Sequence, residues 1–373
     1  MSSRPVRTLL RAASHRALLK EKFPWTLSPL VVGAPMRVFS GPELAISIYR
    51  AGGLGFIGPG IKAANIIIDL EEVQSQLLKE NSPNSKSAEL LPVGVGFQVW
   101  NGDLEKAVIA VSKYRPCAVW LFAPRSGQSD LVSWIIRLRE ASFNTSIWVQ
   151  VGTLKEALDV ASNTVAPPDV LVIQGAEAGG HGRASDGIGL ITLLPEISDA
   201  LESIEINNAA KSIPLIGAGG IADGRGAVAA LGLGASGVAL GTRFLASTEA
   251  RINESYQTEI IRATDGASTT GRTQLYNHLR GTFGWPEEFS PRGLLNQSWT
   301  DYKAGVPFDE LKKLHDEAVK EGGNSAWGPN GRTATYASAS VGLIREVQDA
   351  EIIVRKLRED IISITKSLEM SIN

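Results

Sequence analysis

Short apolar runs rich in β-branched residues alternate with amphipathic segments from Leu30 to Leu240, and this alternation limits the fold more than any other feature of the sequence. The runs that predict strands are Leu30–Met36, Gly53–Gly58, Leu91–Gln98, Ala118–Ala123, Ile147–Val151, Val170–Ile173, Pro214–Gly217 and Gly237–Leu240. Eight strand–helix units predict an α/β fold with a parallel sheet closed into a (β/α)₈ barrel. An open doubly wound sheet would carry a Gly-x-Gly-x-x-Gly pattern after its first strand, where this chain lacks it.

The barrel pattern covers residues 23–263, and three further segments lie outside it. Residues 1–22 form a basic extension with arginines and no acidic residue before position 21, which is typical of a short amphipathic helix or of a mitochondrial transit peptide. Residues 264–335, rich in Gly, Thr, Asn and Pro, predict an appended loop-rich and helical lid or small subdomain. In residues 336–373, apolar side chains at helical spacing predict a C-terminal helix that packs on the barrel or forms a homodimer contact.

Composition limits the classes of partner. The 373 residues include 37 basic and 39 acidic side chains, so no overall charge favours nucleic acid or an anionic membrane, and a small-molecule substrate fits better. No apolar run is long enough to predict a transmembrane helix, and a cytoplasmic location is the default expectation. Cys117 is the only cysteine and follows an Arg-Pro pair at the start of an apolar run, which predicts a buried structural thiol without a disulfide or metal role.

Residues that follow the predicted strands are the candidate site residues, because active groups of such barrels lie at the carboxyl ends of the strands. They are Pro35, Met36, Gln98, Gln150, Gln174, Glu177, Gly179, Gly180, His181, Gly217, Ala218, Gly219, Gly220, Gly241 and Thr242. Glycines after the seventh and eighth predicted strands indicate either a phosphate cradle or tight turns. The three glutamines need hydrogen-bond partners, which a flavin ring or neighbouring backbone could supply. The neighbouring Arg243 would meet a phosphate or a carboxylate at the rim.

His181 is the one histidine that follows a barrel strand, in a loop of small residues after Val170–Ile173. An unperturbed imidazole pKa near 6.5 suits proton abstraction from a carbon beside an electron-withdrawing group. The alternative is an incidental histidine in a flexible turn. The sequence shows neither the ligand spacing of a zinc site nor a Gly-x-Ser-x-Gly elbow, so no metal site is expected and metal hydrolysis and serine esterase chemistry are poorly supported.

Several of these stretches resemble, in order, motifs of the nitronate monooxygenase family, formerly called 2-nitropropane dioxygenases. The matching stretches are Gly33–Met36, Ala51–Gly58, Gln174–Gly182, Ile216–Ile221 and Ala239–Phe244, within about residues 20–250. The resemblance implies a TIM barrel with non-covalent FMN, phosphate-binding loops at Gly217–Gly220 and Gly241–Thr242, and His181 as catalytic base. It also implies that Ala34, Pro35 and Met36 contact the flavin.

The implied activity is FMN-dependent oxidation of alkyl nitronates or nitroalkanes by dioxygen to a carbonyl compound and nitrite. His181 would remove the α-proton of a nitroalkane or help to handle the nitronate, and its presence favours this activity. An alternative is NAD(P)H-dependent reduction of enoyl thioesters or other activated alkenes, because flavin-type enoyl-ACP reductases share the barrel and glycine loops. A barrel that binds flavin or phosphate without catalysis is an alternative of another class.

Overall fold

Eight parallel strands close into a barrel, which confirms the predicted TIM-barrel fold. A computed structural model describes residues 4–58, 64–79, 89–203 and 212–372. The barrel strands, numbered in chain order, are β1 Leu30–Gly33, β2 Leu54–Ile57, β3 Leu91–Gln98, β4 Pro116–Phe122, β5 Ser146–Val151, β6 Val170–Gln174, β8 Leu215–Ala218 and β9 Gly237–Leu240. The ring closes where β1 pairs in parallel with β9.

Helices surround the barrel because both faces of each strand must be covered by apolar side chains. The helices after successive strands are Pro42–Arg50, Ala64–Lys79, Leu104–Tyr114, Gln128–Ala141, Leu154–Ala161, Leu190–Ser203, Gly224–Gly232 and Thr242–Leu245, with a short 3₁₀ turn at Val99–Asn101. In β4 the faces alternate: Ala118 and Trp120 point into the barrel, whereas Val119 and Leu121 pack with the helices. This alternation places every second residue of a strand toward the barrel axis.

Aromatic rings fill the barrel interior below the strand ends. The rings of Phe56 and Trp148 lie 5.1 Å apart, and those of Trp120 and Trp148 lie 6.0 Å apart. Cys117 is fully buried in the same cluster, and this burial raises the pKa of its thiol. Cys117 is therefore the structural thiol that the sequence predicts, and the filled interior leaves the carboxyl-end mouth as the place for a ligand.

Two strands of the chain beyond the barrel pair with a short strand between β6 and β8 to form a second, three-stranded antiparallel sheet. Its strands are β7 Gly180–Arg183, β10 Thr270–Arg272 and β11 Phe289–Leu294, in the order β10-β11-β7. The helices of this part of the chain are Glu254–Arg262, Gly266–Thr269, Leu275–Leu279, Gln297–Lys303, Phe308–Glu321 and Gly323–Ala326, followed by a 3₁₀ turn at Val341–Leu343. The prediction of a loop around His181 is therefore wrong, since His181 lies on β7 opposite Pro291 of β11. Its glycine-rich neighbours gave no strand pattern, and the pairing is formed by residues distant in sequence.

The N-terminal helix Arg4–Lys22 docks on the outside of the barrel. Ala12 and Leu19 are buried on its inner face. Arg11 donates a hydrogen bond of 2.8 Å to the carbonyl oxygen of Ser198, in the helix after β7. The basic extension is thus an amphipathic helix held to the barrel by apolar and polar contacts.

The C-terminal helix Ala350–Ile372 packs on the helices that follow β1 and β8. Val354 is fully buried in this contact. The Arg358 guanidinium donates to the carbonyl oxygens of Ala51 and Gly52, each at 3.1 Å, at the end of the helix after β1. This helix therefore ties the first and last parts of the barrel together.

Within the part of the chain that the structure describes, no helix has the length and apolar character needed to cross a membrane.

We predict that Gly55→Ala lowers the free energy of unfolding by about 1–3 kcal/mol. An added Cβ would lie 2.5 Å from the Cα atom of Ala45, so the helix Pro42–Arg50 would have to move away from β2. Gly232→Ala is the matched control, because nothing lies within 4 Å of its added Cβ. Urea denaturation of both variants measures the effect, and equal stability of the two would contradict the prediction.

Candidate active site

A cavity of about 260 Å³ lies at the carboxyl ends of the barrel strands. The predicted site residues that line it are Ala34, Pro35, Met36, Gln98, Gln150, Gln174, Gly179, Gly180, His181, Ala218, Gly219, Gly220, Gly241 and Thr242. The fold thus gathers strand-end residues that are far apart in sequence around one space. The described lining residues of this cavity include no aspartate or glutamate.

Two glycine turns form one wall of this cavity. Gly219 and Gly220 follow β8 with φ of +94° and +75°, a left-handed conformation that glycine adopts without strain. Gly241 follows β9, and its added Cβ would meet only Met36 and Ala34, at 3.8 and 3.9 Å. The turns therefore expose backbone to the cavity at the two strand ends where barrels of this type commonly bind phosphate.

Two predicted cofactor residues, Glu177 and Gly217, are not among the residues that line the cavity. The Glu177 carboxylate accepts hydrogen bonds of 3.1 and 3.2 Å from the backbone N–H of Leu190, at the start of a helix, and lies behind Gly220. An added Cβ on Gly217 would point toward Ala230, on the helix side of β8. Both residues thus support the cavity wall from behind.

The three glutamines differ in their partners. Gln150 Oε1 accepts a hydrogen bond of 2.9 Å from the indole N–H of Trp120, and Gln174 Nε2 donates to the carbonyl oxygen of His181 at 3.3 Å. Gln98 makes no side-chain hydrogen bond to any residue that the structure describes. Neighbouring groups thus supply hydrogen-bond partners to Gln150 and Gln174, and the Gln98 amide remains available to a ligand.

His181 is fixed by a ring stack and a hydrogen-bond chain. Its imidazole lies 3.7 Å from the ring of Trp285, centroid to centroid, with only 10° between the planes. Asn277 Nδ2 lies 2.9 Å from His181 Nε2. The Asn277 amide is oriented by Gln274 Oε1, which accepts from Nδ2 at 2.7 Å, and by the Tyr336 hydroxyl, which donates to Oδ1 at 2.9 Å. An amide NH₂ can only donate, so Nε2 accepts and Nδ1 carries the proton of the neutral ring.

The electrostatic surroundings keep the imidazole neutral. Burial and, to a lesser extent, the positive charges of Arg37, Arg272 and Arg280 together lower the pKa of His181 to about 3, against the opposing effect of the Asn277 hydrogen bond. The two terminal nitrogens of the Arg272 guanidinium donate to the carbonyl oxygens of Ala176, Ala178, Gly180 and Ser290. His181 is therefore uncharged at neutral pH.

Comparisons with known proteins identify the family of this chain. The family model described as "Nitronate monooxygenase" matches residues 96–276. A Metarhizium robertsii protein named nitronate monooxygenase npaC is 57% identical over 96% of this chain and 98% of its own length. A Neurospora crassa nitronate monooxygenase is 33% identical over 92% of this chain and 91% of its own length.

The chain belongs to the nitronate monooxygenase family. This family assignment makes it an oxidoreductase and associates it with flavin. A solved structure of nitroalkane oxidase from Streptomyces ansochromogenes superimposes with a TM-score of 0.70, covering 94% of this chain and 99% of that one. At 24% sequence identity, this superposition shows a shared fold and no more.

Sequence reasoning missed several residues around the imidazole of this family member. Asn277, Arg280 and Trp285 come from the appended region, and Tyr336 precedes the C-terminal helix, which begins at Ala350 and not at residue 336. The tryptophans of 264–335 were the one available signal, but only long-range packing shows which of them reaches the mouth. Arg37 directly follows the motif that ends at Met36 and could have been included with it.

Arg243 has neither of its two predicted partners. It is buried and donates to Gln348 Oε1 at 2.6 Å and to the carbonyl oxygen of Glu346 at 3.2 Å. It is not among the residues that line the cavity, and no carboxylate pairs with it among the described residues. Arg243 therefore anchors the approach to the C-terminal helix.

We predict that His181 makes the protein less stable in acid. Because its pKa is about 3 when folded and near 6.5 when unfolded, the unfolded chain binds more protons between these values. The free energy of unfolding should therefore fall as pH decreases through this window, by at most about 1.4 kcal/mol per pH unit from this group. His181→Gln should flatten that slope in urea denaturation between pH 4.5 and 7.5, whereas the control His278→Gln should not. Equal slopes for the parent protein and His181→Gln would contradict the prediction.

Proposed function

We propose that this protein is an FMN-dependent nitronate monooxygenase that oxidises small alkyl nitronates or nitroalkanes with dioxygen to a carbonyl compound and nitrite. The observation that carries the proposal is the neutral imidazole of His181, which faces the same cavity as the glycine turns after β8 and β9. A proton acceptor beside a phosphate cradle suits oxidation of an acidic carbon on a flavin. The names of the relatives at 57% and 33% identity support the same reaction.

The cavity wall fits an FMN phosphate. Gly219 and Gly220 have positive φ and line the cavity directly before the helix Gly224–Gly232, whose dipole favours an anion near its start. Gly241 and Thr242 line the same wall after β9. We infer that these four residues hold the phosphate, with Ala218 beside them and with Gly217 and Glu177 supporting the turns from behind.

The remaining wall fits the flavin ring. Ala34, Pro35 and Met36 offer an apolar strand end, and the Gln98 amide has no side-chain partner among the described residues. We infer that Gln98, Gln150 and Gln174 meet the polar edge of the ring, and that Gly179 and Gly180 allow its close approach. When bound, FMN would supply electron transfer and the reaction with dioxygen.

His181 would handle the proton of the substrate. Its Nε2 lone pair is the site at which an α-proton can be accepted, and the Trp285 ring shields one face of the imidazole from solvent. Asn277 and Tyr336 set the orientation of the ring through the amide that contacts Nε2. From a nitroalkane, His181 would remove the α-proton. A nitronate has already lost this proton before it binds.

The reductase alternative is not favoured. The barrel and glycine turns are common to both activities and do not separate them, but the full-length relatives at high identity are named nitronate monooxygenases. A purely binding barrel would leave the ordered imidazole and its hydrogen-bond chain without use. Oxidation of nitronates therefore accounts for more of the site than either alternative.

The absorbance spectrum of the purified protein tests the proposal. We expect bound FMN whose visible bands bleach when ethyl nitronate is added anaerobically and recover when oxygen is admitted. NADPH is the matched addition, because bleaching by NADPH and not by nitronate would support the reductase. Failure to bind FMN after reconstitution would contradict the cofactor assignment.

We expect His181→Asn to lower kcat/KM for nitroethane by roughly 100-fold or more, since a positioned base commonly contributes 10²–10⁴-fold. The loss for ethyl nitronate should be much smaller, because its α-proton is already absent. FMN content of the variant and the activity of His278→Asn are the controls. An equal loss with both substrates would show that His181 does not act as the base.

A further inference from the structure

Two arginines face the cavity without a carboxylate partner. Arg37 and Arg280 both line it, and Arg37 also lines a smaller adjoining cavity of about 90 Å³. Neither forms an ion pair within the described residues, and no acidic side chain is among the described residues that line the main cavity. By contrast, Arg183 and Arg332, which also lie near the appended region, each pair with a carboxylate.

The two guanidinium groups line the same cavity as His181 and act electrostatically on its imidazole. The pKa of Arg37 is lowered, first by burial and then by the positive charge of Arg280. Arg280 lies over the ring of Tyr336, 5.6 Å from its centroid, and both arginines help to lower the pKa of His181. Arg37 is half-buried and Arg280 is exposed to solvent, and two neighbouring positive charges repel each other unless an anion lies near both.

We propose that Arg37 and Arg280 form the anion-recognition pair of the substrate pocket and select the preformed nitronate over the neutral nitroalkane. This inference rests on the proposed function. A nitronate carries one negative charge shared by two oxygens in a plane, a geometry that guanidinium groups bind with charge-assisted hydrogen bonds. A neutral nitroalkane lacks that charge and gains much less from the same pair.

The hydrogen bond at His181 favours the same selection. Asn277 already donates to Nε2, so proton removal from a nitroalkane requires the imidazole to give up this contact. A preformed nitronate can bind beside the arginines with the Asn277–His181 contact intact. In the site without substrate, His181 Nε2 already accepts a hydrogen bond, whereas Arg37 and Arg280 have no carboxylate partner. This arrangement suits an anionic substrate better than a neutral carbon acid.

Arg37→Met and Arg280→Met test the pair, because methionine keeps most of the side-chain volume and removes the charge. Each should lower kcat/KM for ethyl nitronate by roughly 10- to 100-fold, the size expected for a hydrogen bond to a charged group. The loss for nitroethane should be smaller, because its negative charge develops only as the α-proton leaves, and Arg37→Lys and Arg280→Lys should recover part of the nitronate activity. Arg137→Met is the matched control, since Arg137 pairs with Glu105 on the outer helices.

A binding measurement separates this inference from the proposed function. Nitrate, a planar anion that is not oxidised, should bind to the FMN-loaded protein in calorimetric titration, and each Met variant should weaken that binding by about ten-fold or more. If the parent protein binds nitrate through these arginines but does not oxidise nitronate, the proposed function fails while the anion site stands. Equal losses for nitronate and nitroethane, unchanged nitrate binding, or loss of FMN from the Met variants would overturn the inference, the last because the pair would then hold the cofactor phosphate.

Discussion

The antiparallel pairing of β7 with β11 holds the site together, because it brings the chain beyond the barrel back over the barrel mouth. It sets His181 opposite Pro291 and makes a strand of a glycine-rich segment that a barrel alone would leave as a loop. From β10, Arg272 donates to the carbonyl oxygens of Ala176, Ala178 and Gly180, which fixes the same segment from its other side. Without this sheet the imidazole would lie at the open end of the barrel, where solvent would return its pKa toward the ordinary value.

The barrel could be predicted from the sequence because its evidence is local. A strand of a parallel sheet is buried on both faces, so each one is a short apolar run, and the helix that follows carries its own periodic apolar face. The strand ends locate candidate residues for the same reason, and His181 and the glycine turns do line one cavity. The position of a residue near a strand end does not show which way the residue faces. For this reason the sequence predicts Gly217 and Glu177 as cofactor residues, although both lie behind the cavity wall.

The surroundings of the imidazole could not be predicted in the same way. Asn277, Trp285 and Tyr336 contact one another or His181 across wide separations in the sequence, and nothing in their local patterns specifies the partner. The same limit applies to Arg243, whose partners come from the segment before the C-terminal helix. The appended region thus determines the surroundings of the histidine and pairs with the strand that carries it, whereas the barrel strand ends form the cavity that it lines.

Base strength and anion attraction at this site have a common origin. Enclosure by Trp285 and the nearby charges of Arg37 and Arg280 disfavour a proton on His181, and the same positive potential favours a negative ligand in the cavity. The two effects are linked thermodynamically, because an anion bound beside the arginines must raise the pKa of the imidazole, and protonation of the imidazole must strengthen binding of the anion by the same free energy. A site that is a weak base when empty therefore becomes a stronger base once it holds an anion. Because of this coupling, the empty site disfavours a proton on His181, whereas the site with a bound anionic substrate stabilises that proton.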